Sequence, residues 1–392
     1  MRIVYVPESF PQPSETFIIN EIDGLLELGY QVSVVPRIIG DAGKVHHARL
    51  QKILRNIRVV TDNTGFDIKG FLLGLKYGGQ VPIGWRPNAL IRRVMHALRV
   101  ATHVTKIKAQ NPDLIMIHFG YDNAAAGVIA ALLANVPAIL WLHGSDMHTV
   151  PHRSLGWITG KVSVVVTNSM YSSSLLGDLG VKNRIEVSHL GVDIDGFQSL
   201  LNTEKENNPT IICTARLGHS KNHGRLLHVF KQVQGTIPNA QLWLVGDGPN
   251  RQQYESMVAA LNLKQVVFWG SLPQEKVFEL LKKAWIKVLL SDKEALGVAL
   301  IEAQASGLPC VATSVGGIPE VVEDHETGCL FDLSSPDFDE KVALAIVNLL
   351  QDDDLRGEMG GRASRRAEKF FNEKSHIQRM DKLIKQLLKK QD

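Results

Sequence analysis

Two carboxylates with seven residues between them lie in the segment 291–302, directly after an apolar run. The run 285–290 predicts a buried strand, and a helical pattern begins near Leu296. Glu294 falls in the turn and Glu302 inside the helix, about 12 Å further along the axis at about 1.5 Å per residue. The two groups are too far apart for a close acid–base couple unless the turn folds back. They suit two ends of one extended ligand above the helix N-terminus, where backbone N–H groups favour phosphate.

A basic pair precedes this segment, at the end of a predicted strand, 210–214. Arg216 can bind two phosphate oxygens at once, and Lys221 places a point charge where a helix begins, at Asn222 or His223. The alternative is a pair of solvated loop cations with no ligand. Taken with the two carboxylates, the basic pair predicts a nucleotide-sugar as the ligand of this half of the chain.

Glycine turns follow two further predicted strands. Gly246 lies in Val-Gly-Asp-Gly-Pro (245–249), and a second turn reads Gly-Gly-Ile-Pro-Glu (316–320). The first turn lacks the third glycine of the dinucleotide-binding fingerprint and follows the wrong strand, so NAD binding is poorly supported. We expect the glycines of the first turn to allow a tight bend and close packing.

The N-terminal half places two histidines at the ends of predicted strands. His118 ends the strand 114–118, and His143 follows the strand 138–142 in the motif His-Gly-Ser-Asp. In a doubly wound sheet both positions face the same crevice. A single histidine is more often a structural hydrogen-bonding residue, but the pair favours a site role for His143 over one for His118.

Strand and helix patterns alternate twice along the chain, on either side of a polar segment at 202–209. The sequence therefore predicts an α/β protein with two doubly wound, Rossmann-like domains that face a cleft. The predicted divisions are an N-terminal domain at 1–201, a linker at 202–209, a C-terminal domain at 210–370, and a helix at 371–392 that crosses back to the first domain.

Composition limits the class of protein. The chain has 392 residues, 44% of them hydrophobic, which suffices for two domains with sizeable cores. No apolar run reaches the roughly 18 residues that a membrane-spanning helix needs, and the N-terminus does not resemble a signal peptide. Three cysteines without a Cys-x-x-Cys pair suggest buried thiols. We expect a cytoplasmic protein.

The formal net charge of +3 conceals a basic stretch between Lys44 and Lys108. The stretch holds thirteen lysines and arginines against two aspartates, a net charge of +11. Such a field favours an anionic partner, either a membrane surface, a phosphorylated substrate or nucleic acid, with a solvated face as the equal alternative. The predicted helix 88–110 carries part of this charge beside an apolar stripe, which we expect to pack on the domain core: Ile91, Val94, Met95, Leu98, Ala101 and Val104.

The order of these motifs resembles that of the retaining glycosyltransferase family 4, whose members have the GT-B fold. The resemblance rests on Arg216 and Lys221, the two glycine turns, and the two glutamates with Ala-Leu-Gly after the first. A Gly-Val-Asp…Phe element at 191–197 is also similar. The resemblance covers the whole chain and is most specific at 210–332. Pro-Ser-Glu-Thr-Phe-Ile (13–18) and His-Gly-Ser-Asp (143–146) resemble the branch that makes bacterial exopolysaccharide and other surface glycans.

The resemblance implies a role for each matching donor-side residue. Arg216 and Lys221 match residues that hold the donor diphosphate. Glu294 matches the residue on the hydroxyls of the transferred sugar, and Glu302 matches the ribose ligand. The segment 269–272 corresponds to the base pocket. The remaining donor-binding residues expected from the family are Gly246, Trp269, Leu272, Ala295, Leu296 and Gly297.

On the acceptor side, the resemblance matches His143 to a histidine close to the reacting carbon. Family members commonly carry paired glycines in the first loop, whereas this chain has Pro-Gln-Pro-Ser-Glu, so Ser14 or Glu15 is expected to substitute for the backbone. Helix capping is the alternative role for Ser14. His118 and Asp146 complete the acceptor-side set. The expected catalytic set is Glu294, His143, Arg216 and Lys221.

The implied reaction moves a sugar from a UDP- or GDP-sugar to a hydroxyl of a glycan or lipid-linked acceptor, with retention. A nucleoside diphosphate is already a good leaving group, so side chains and helix ends can stabilise its charge without a metal or cofactor. Asp193 and Asp195 resemble a D-x-D metal motif, but their place in the Gly-Val-Asp turn indicates a structural role. The basic stretch is then expected to dock electrostatically on the inner face of the membrane, without insertion, and not on nucleic acid.

Two alternatives from other classes remain. A nucleotide-sugar epimerase of the same architecture would convert the donor without any acceptor. A non-catalytic sugar-nucleotide-binding protein would bind the donor and never transfer or hydrolyse it. An assay without acceptor distinguishes an epimerase from a glycosyltransferase. Slow hydrolysis of the donor would argue against a non-catalytic binding protein.

Overall fold

The computed structural model describes residues 1–12, 15–45, 48–61, 65–78, 89–198 and 203–389. The chain forms two compact units, one of Met1–His189 with His376–Asp392 and the other of Leu190–Ser375. The sequence predicts a linker between the two domains at 202–209, and residue 202 lies outside the described residues. In the structure the second unit already begins at Leu190, so the segment 190–198 belongs to it and not to the first unit. Backbone hydrogen bonds explain this assignment, because Val192 N donates to Phe371 O at 2.8 Å and Glu373 N donates to Val192 O at 3.1 Å.

The first unit alternates strands and helices, as the sequence predicts. Its strands are β1 (Arg2–Val6), β2 (Ser9–Phe10), β3 (Gln31–Val34), β4 (Ile38–Ile39), β5 (Arg58–Val59), β6 (Leu114–His118), β7 (Ala138–Leu142), β8 (Val164–Thr167) and β9 (Ile185–Val187). Its helices are α1 (Thr16–Glu27), α2 (Ala48–Asn56), α3 (Ile68–Gly78), α4 (Ala89–Lys108), α5 (Asp122–Ala134), α6 (Ser145–Thr149), α7 (His152–Thr159) and α8 (Met170–Asp178).

Seven of these strands form one parallel sheet in the order β5-β3-β1-β6-β7-β8-β9 within the described residues. The order reverses at β1, which pairs with β3 on one side and β6 on the other. Ligands of such sheets bind outside the carboxyl ends of the strands at this switch point. The core lies along the apolar strands β6 and β7 and the alanine-rich α5, whose residues Ala124 to Ala131 are buried.

The second unit repeats the plan. Its helices are α9 (Ile194–Gln198), α10 (His223–Thr236), α11 (Arg251–Ala260), α12 (Gln274–Lys283), α13 (Val298–Ala305), α14 (Ile318–Val321), α15 (Phe338–Gln351) and α16 (Asp353–Phe370). Its strands are β10 (Thr210–Thr214), β11 (Gln241–Val245), β12 (Val266–Gly270), β13 (Ile286–Leu289), β14 (Cys310–Thr313) and β15 (Gly328–Phe331). They form a parallel sheet in the order β12-β11-β10-β13-β14-β15, with the switch point at β10 and β13. The last helix, α17 (Glu373–Leu388), belongs to the first unit from His376 onward.

The apolar stripe of α4 packs on the core only in its C-terminal part, where Ala101 and Val104 are buried. Ile91 is 61% exposed, Met95 48% and Leu98 36%, whereas Ala97 and Val100 on another face are buried. The reason is the close contact with α3, where a Cβ added to Gly74 would lie 3.2 Å from Ala97 Cα. Small residues allow this approach, so the helix buries its alanine and valine face and leaves the longer side chains outside. Across the described residues, no helix has the length and apolar character required to span a membrane.

Candidate active site

An ion pair joins two loops at the switch point of the second unit. Lys221 ends a short 3₁₀ turn after β10, and its Nζ contacts Glu294 Oε2 in the loop after β13. The backbone fixes the same loops, because Asp292 N donates to Ser220 O at 2.9 Å. Asn222 Nδ2 also donates to Asp292 Oδ1 at 2.9 Å. Neighbouring strands β10 and β13 therefore bring together two residues that are 73 positions apart in the sequence.

The second glycine turn holds the backbone of Glu294. Gly316 has a positive φ of 57°, and a Cβ there would lie 1.8 Å from the carbonyl oxygen of Glu294. Gly317 N donates to that oxygen at 3.1 Å. A side chain at Gly317 would meet Ala295 O at 2.2 Å. The turn after β14 thus requires glycine in order to fix the segment that carries Glu294, Ala295 and Leu296.

Arg216 is exposed at the end of β10, and among the described residues its guanidinium makes no hydrogen bond or ion pair. The first glycine turn supports its backbone. A Cβ at Gly246 would lie 2.2 Å from Ala215 O, and Leu217 N donates to Asp247 O at 3.0 Å. The loop therefore presents a cation with no acidic partner in the described chain, which suits it to bind a phosphate.

The segment expected to form the base pocket lies beside this turn. Gly246 N donates to Gly270 O at 2.8 Å, which ties the end of β11 to the end of β12. Trp269 is 36% exposed and meets Trp243 edge to face, with ring centroids 5.7 Å apart. Leu272 follows, partly buried. An exposed aromatic surface of this kind suits a flat base, and the contact itself stays a prediction.

Glu302 lies inside α13, whose N-cap is Gly297 with a positive φ of 92°. The carboxyl group is partly buried, and burial raises its pKa to about 7, with the charge of Lys287 opposing this shift. Lys287 is itself fully buried on β13 and donates to the hydroxyl of Thr214. Burial lowers the pKa of Lys287. Sequence reasoning missed this lysine, although a cation inside the apolar run 285–290 was a visible signal.

We expect Glu302→Gln to stabilise the free protein at alkaline pH. The folded pKa of about 7 exceeds the ordinary value of 4.5, so the native state binds more protons than the unfolded state between these values. The free energy of unfolding contributed by Glu302 therefore falls as pH rises from 4.5 to 7, by up to about 3 kcal/mol. Thermal unfolding should show Glu302→Gln above wild type at pH 8 and close to it at pH 4. A variant that is equally stable or less stable at pH 8 would contradict the burial argument.

Two histidines meet at the switch point of the first unit. His118 ends β6 and is fully buried, and His143 follows β7. His118 Nδ1 lies 3.0 Å from His143 Nε2, and the two rings stack at 5.2 Å. Burial lowers the pKa of His143 well below its ordinary value, and His118 adds to this effect. His143 is therefore neutral at pH 7.

Glu21 of α1 is the buried acid of this cluster. Its Oε1 accepts a hydrogen bond from the Tyr5 hydroxyl at 2.6 Å and lies 3.6 Å from His118 Nε2. Its Oε2 lies 3.2 Å from Nε2 of His376, which comes from α17. Although burial alone raises the pKa of Glu21, its interactions with His118 and His376 bring it well below the ordinary value. Sequence reasoning missed Glu21 and His376, since their partners are distant in the sequence.

Asp146 supports the turn that presents His143. Its Oδ1 accepts from the backbone N–H of His143 at 3.1 Å, of Gly144 at 2.9 Å and of Met147 at 3.1 Å. Its Oδ2 accepts from Gly120 N at 3.1 Å. Burial raises the pKa of this carboxyl to about 6, against the effect of these donors. The structure thus uses Asp146 to shape the loops after β6 and β7.

The remaining sequence predictions concern Ser14, Glu15 and the two aspartates Asp193 and Asp195. Ser14 lies outside the described residues. Glu15 is partly buried at the start of α1, where burial and the charge of Glu8 raise its pKa to about 7. Asp193 Oδ1 accepts from Gly196 N at 3.0 Å, and Asp195 pairs with Lys374 at 2.6 Å. Both aspartates therefore have partners within the Gly-Val-Asp turn and the start of α17.

Two family models and a curated relative match the chain. The model "Glycosyltransferase Family 4" covers residues 14–195, and "Glycosyl transferases group 1" covers 201–366. The N-acetyl-alpha-D-glucosaminyl L-malate synthase of Bacillus anthracis is 34% identical over 296 residues, which are 71% of this chain and 76% of that protein. The chain belongs to glycosyltransferase family 4.

Further comparisons agree with the family and the fold of this glycosyltransferase. The amylovoran biosynthesis glycosyltransferase AmsK of Erwinia amylovora is 24% identical over 88% of this chain and 90% of its own. The crystal structure of HepE from Anabaena in complex with UDP-glucose superposes with a TM-score of 0.74 at 20% identity. The superposition covers 98% of this chain and 100% of the HepE chain. The two Rossmann-like sheets are thus those of a GT-B glycosyltransferase.

Proposed function

We propose that this glycosyltransferase moves a sugar from a UDP- or GDP-sugar to a hydroxyl of a glycan or lipid-linked acceptor in bacterial polysaccharide biosynthesis. The observation that carries the proposal is Arg216, which has no partner among the described residues and shares a loop with Lys221 of the Lys221–Glu294 pair, at the switch point of the second unit. Relatives support it, because HepE is described with UDP-glucose and AmsK with amylovoran biosynthesis.

The chemistry of the proposal needs charge stabilisation more than proton transfer by the protein. The bond between the anomeric carbon and the diphosphate oxygen breaks, and the acceptor oxygen bonds to the same face of that carbon. The acceptor proton passes to the leaving phosphate oxygen, and attack on the same face of the carbon retains the configuration. Arg216 and Lys221 would stabilise the diphosphate as negative charge develops, and Glu294 would orient the sugar hydroxyls. We propose that no metal or cofactor takes part, because these cations already supply the positive charge.

Nucleotide-sugars are screened first by thermal shift, using the UDP and GDP forms of common hexoses, and the stabilising ones enter an assay for released nucleoside diphosphate. We expect slow release without acceptor and faster release with bacterial glycolipid extract, both unchanged in EDTA. Interconversion of the donor sugar without release would indicate an epimerase. Binding with no turnover under either condition would indicate a binding protein. Loss of activity in EDTA that Mg²⁺ restores would contradict metal independence.

We also propose that the first unit lies on the inner face of an anionic membrane. The basic stretch 44–108 and an exposed stripe of apolar residues on α3 and α4 would form the contact. Apolar side chains on α3 and α4 are exposed beside cations on the same helices: Ile68, Leu72, Leu90, Ile91, Met95, Leu98, Lys69, Arg92 and Arg99. Part of the +11 charge is neutralised by an acid outside the stretch, because Lys52 pairs with Asp23 at 2.8 Å. The exposed stripe therefore adds apolar contact to the docking, in place of the purely electrostatic binding expected from the sequence.

A basic cavity supports a phosphorylated acceptor in the same unit. It has a volume of about 370 Å³ beside the segment that follows β3, and Arg37, Arg99 and Lys106 line it together with His103. Arg37 is already paired with Glu8, Lys106 Nζ donates to Thr61 O at 3.4 Å, and Asp122 also lines the cavity. Among the described residues this leaves Arg99 as the lining cation available to a ligand. The phosphate of a lipid-linked sugar has the charge and size for such a cavity.

Flotation with vesicles tests the membrane surface. We expect binding to vesicles that contain anionic lipid, and partial loss in 1 M salt, where the Debye length falls to about 3 Å from about 10 Å at 0.1 M. Each basic residue near the surface contributes about 1 kcal/mol. Ile91→Glu with Met95→Glu should abolish flotation, whereas Leu344→Glu, at a position 60% exposed on the second unit, should not. Equal flotation of the double variant would refute the role of the stripe.

A further inference from the structure

A buried chain of three side chains ends at His143. Glu21 Oε1 lies 3.6 Å from His118 Nε2, and His118 Nδ1 lies 3.0 Å from His143 Nε2. The last atom of the chain, His143 Nδ1, is buried and has no hydrogen-bond partner among the described residues. A buried polar atom normally has a hydrogen-bond partner, and a ligand hydroxyl can supply one to this nitrogen.

The charge of Glu21 determines which nitrogen of His118 carries the proton. A distance of 3.6 Å is too long for a hydrogen bond, but a lone pair of His118 directed at a buried carboxylate would be repelled. A neutral His118 therefore carries its proton on Nε2, which leaves Nδ1 as a hydrogen-bond acceptor. His143 Nε2 must then donate to it, since one nitrogen of a neutral imidazole donates and the other accepts.

We infer that Glu21, acting through His118, fixes the tautomer of His143 so that His143 Nδ1 accepts a hydrogen bond from a hydroxyl of the sugar substrate. Glu21 and His118 are thus positioning residues, and His143 is the residue that touches the substrate. The role of His143 towards a sugar rests on the proposed function, whereas its tautomer does not.

The surrounding rings hold His143 in this orientation. Phe17 and Phe119 lie against it with ring centroids at 4.5 Å and 4.6 Å. Trp141 stacks on it at 5.4 Å with an interplanar angle of 5°. An imidazole packed on these sides cannot turn freely to find another partner. The free nitrogen is therefore pre-organised before any ligand binds.

Glu21 also has an anchoring role that a test must separate. Its Oε1 accepts from Tyr5, and its Oε2 faces His376 of α17, whose Nδ1 lies 3.2 Å from both Ser188 Oγ and His189 O. Loss of Glu21 removes this anchor as well as the charge beside His118. Tyr5→Phe and His376→Gln each weaken the anchor and leave Glu21 and His118 in place, so they serve as matched controls.

The test is nitrogen NMR on the full chain labelled with ¹⁵N-histidine at pH 7, with the His143 signals assigned from His143→Gln. We expect a neutral wild-type ring with the proton on Nε2, favoured by at least about tenfold, the ratio set by one hydrogen bond of ordinary net strength. Glu21→Met keeps the length of the side chain and removes the charge, and should lose most of this preference. Glu21→Gln keeps an acceptor oxygen and should fall between the two, while both controls should match wild type.

Three results would overturn the inference. These are a wild-type ring with its proton on Nδ1, a charged ring at pH 7, or an unchanged tautomer ratio in Glu21→Met. If Glu21→Met does not fold, the wild-type spectrum alone still decides the tautomer. With the donor found in the screen, Glu21→Met should lower kcat by up to roughly 100-fold with little change in KM, because His143 is no longer held in the productive form, and the controls should not. If the His143 proton lies on Nε2 but no sugar is transferred, the result would count against the proposed function. It would not count against the inference that Glu21 and His118 fix the tautomer of His143.

Discussion

Glu294→Gln is expected to remove most sugar transfer without weakening the binding of nucleoside diphosphate. The carboxylate is placed to meet hydroxyls of the transferred sugar, and loss of one such oriented contact typically costs roughly 10²- to 10³-fold in kcat. The amide keeps the size of the side chain but releases Lys221 from its ion pair. A freed lysine at the phosphate site should leave the affinity for UDP or GDP equal to wild type or higher. Calorimetry and turnover on the same preparation measure both quantities.

The control for this variant is Glu326→Gln, which removes one negative charge from an ion pair with Arg362 elsewhere in the second unit. It should change neither quantity. Glu302→Ala, at the expected ribose ligand, should instead weaken nucleotide binding itself. If Glu294→Gln and Glu302→Ala lost nucleotide affinity equally, this division of roles between the two glutamates would be wrong.

Arg216→Ala and Lys221→Ala are each expected to weaken nucleoside diphosphate binding by about 1.5–3 kcal/mol, the range for hydrogen bonds to charged groups. This corresponds to about 10- to 150-fold in Kd. The two variants should differ in stability, because Arg216 has no partner in the described chain, whereas removal of Lys221 leaves Glu294 without its cation. Arg216→Ala should therefore unfold at the wild-type temperature and Lys221→Ala below it.

Isothermal calorimetry with UDP and GDP measures these affinities. Lys276→Ala, which removes an exposed cation paired with Glu279, serves as the charge control. Combining Lys221→Ala with Glu294→Gln should restore part of the lost stability but none of the lost affinity, since the pair and the phosphate contact are separate interactions. Wild-type affinity in both Arg216→Ala and Lys221→Ala would place the phosphate site elsewhere.

The sequence by itself determined the two alternations of strand and helix and the loops that carry the site. Continuous apolar runs at 114–118 and 138–142 became β6 and β7 with the predicted bounds. The loops after β10 and β13 were predictable as neighbours, because carboxyl ends of parallel strands share one edge of the sheet. The need for glycine at Gly246 followed from the turn pattern, and the close approach to Ala215 O gives the reason.

Only the tertiary structure decided which side chains face each other. Lys221 and Glu294 were expected to hold different parts of a donor, and the folded loops pair them directly. Asp146 was expected on the acceptor side, and its oxygens accept from four backbone N–H groups. Local pattern specifies the element but not its rotation, so α4 turned the residues Ile91, Met95 and Leu98 outward when α3 packed on its smaller face.

The contacts within the histidine cluster were the part of the site that the sequence predicted least. Glu21 meets His376 across 355 residues, and a helix from the end of the chain completes the surroundings of an acid near its beginning. Periodicity predicts which residues of a helix are buried, yet a buried glutamate in α1 has no local signal that names its partner. Its pairing is set by the three-dimensional packing of α1, β6 and α17, since a buried charge is stable only where the fold supplies a donor for it.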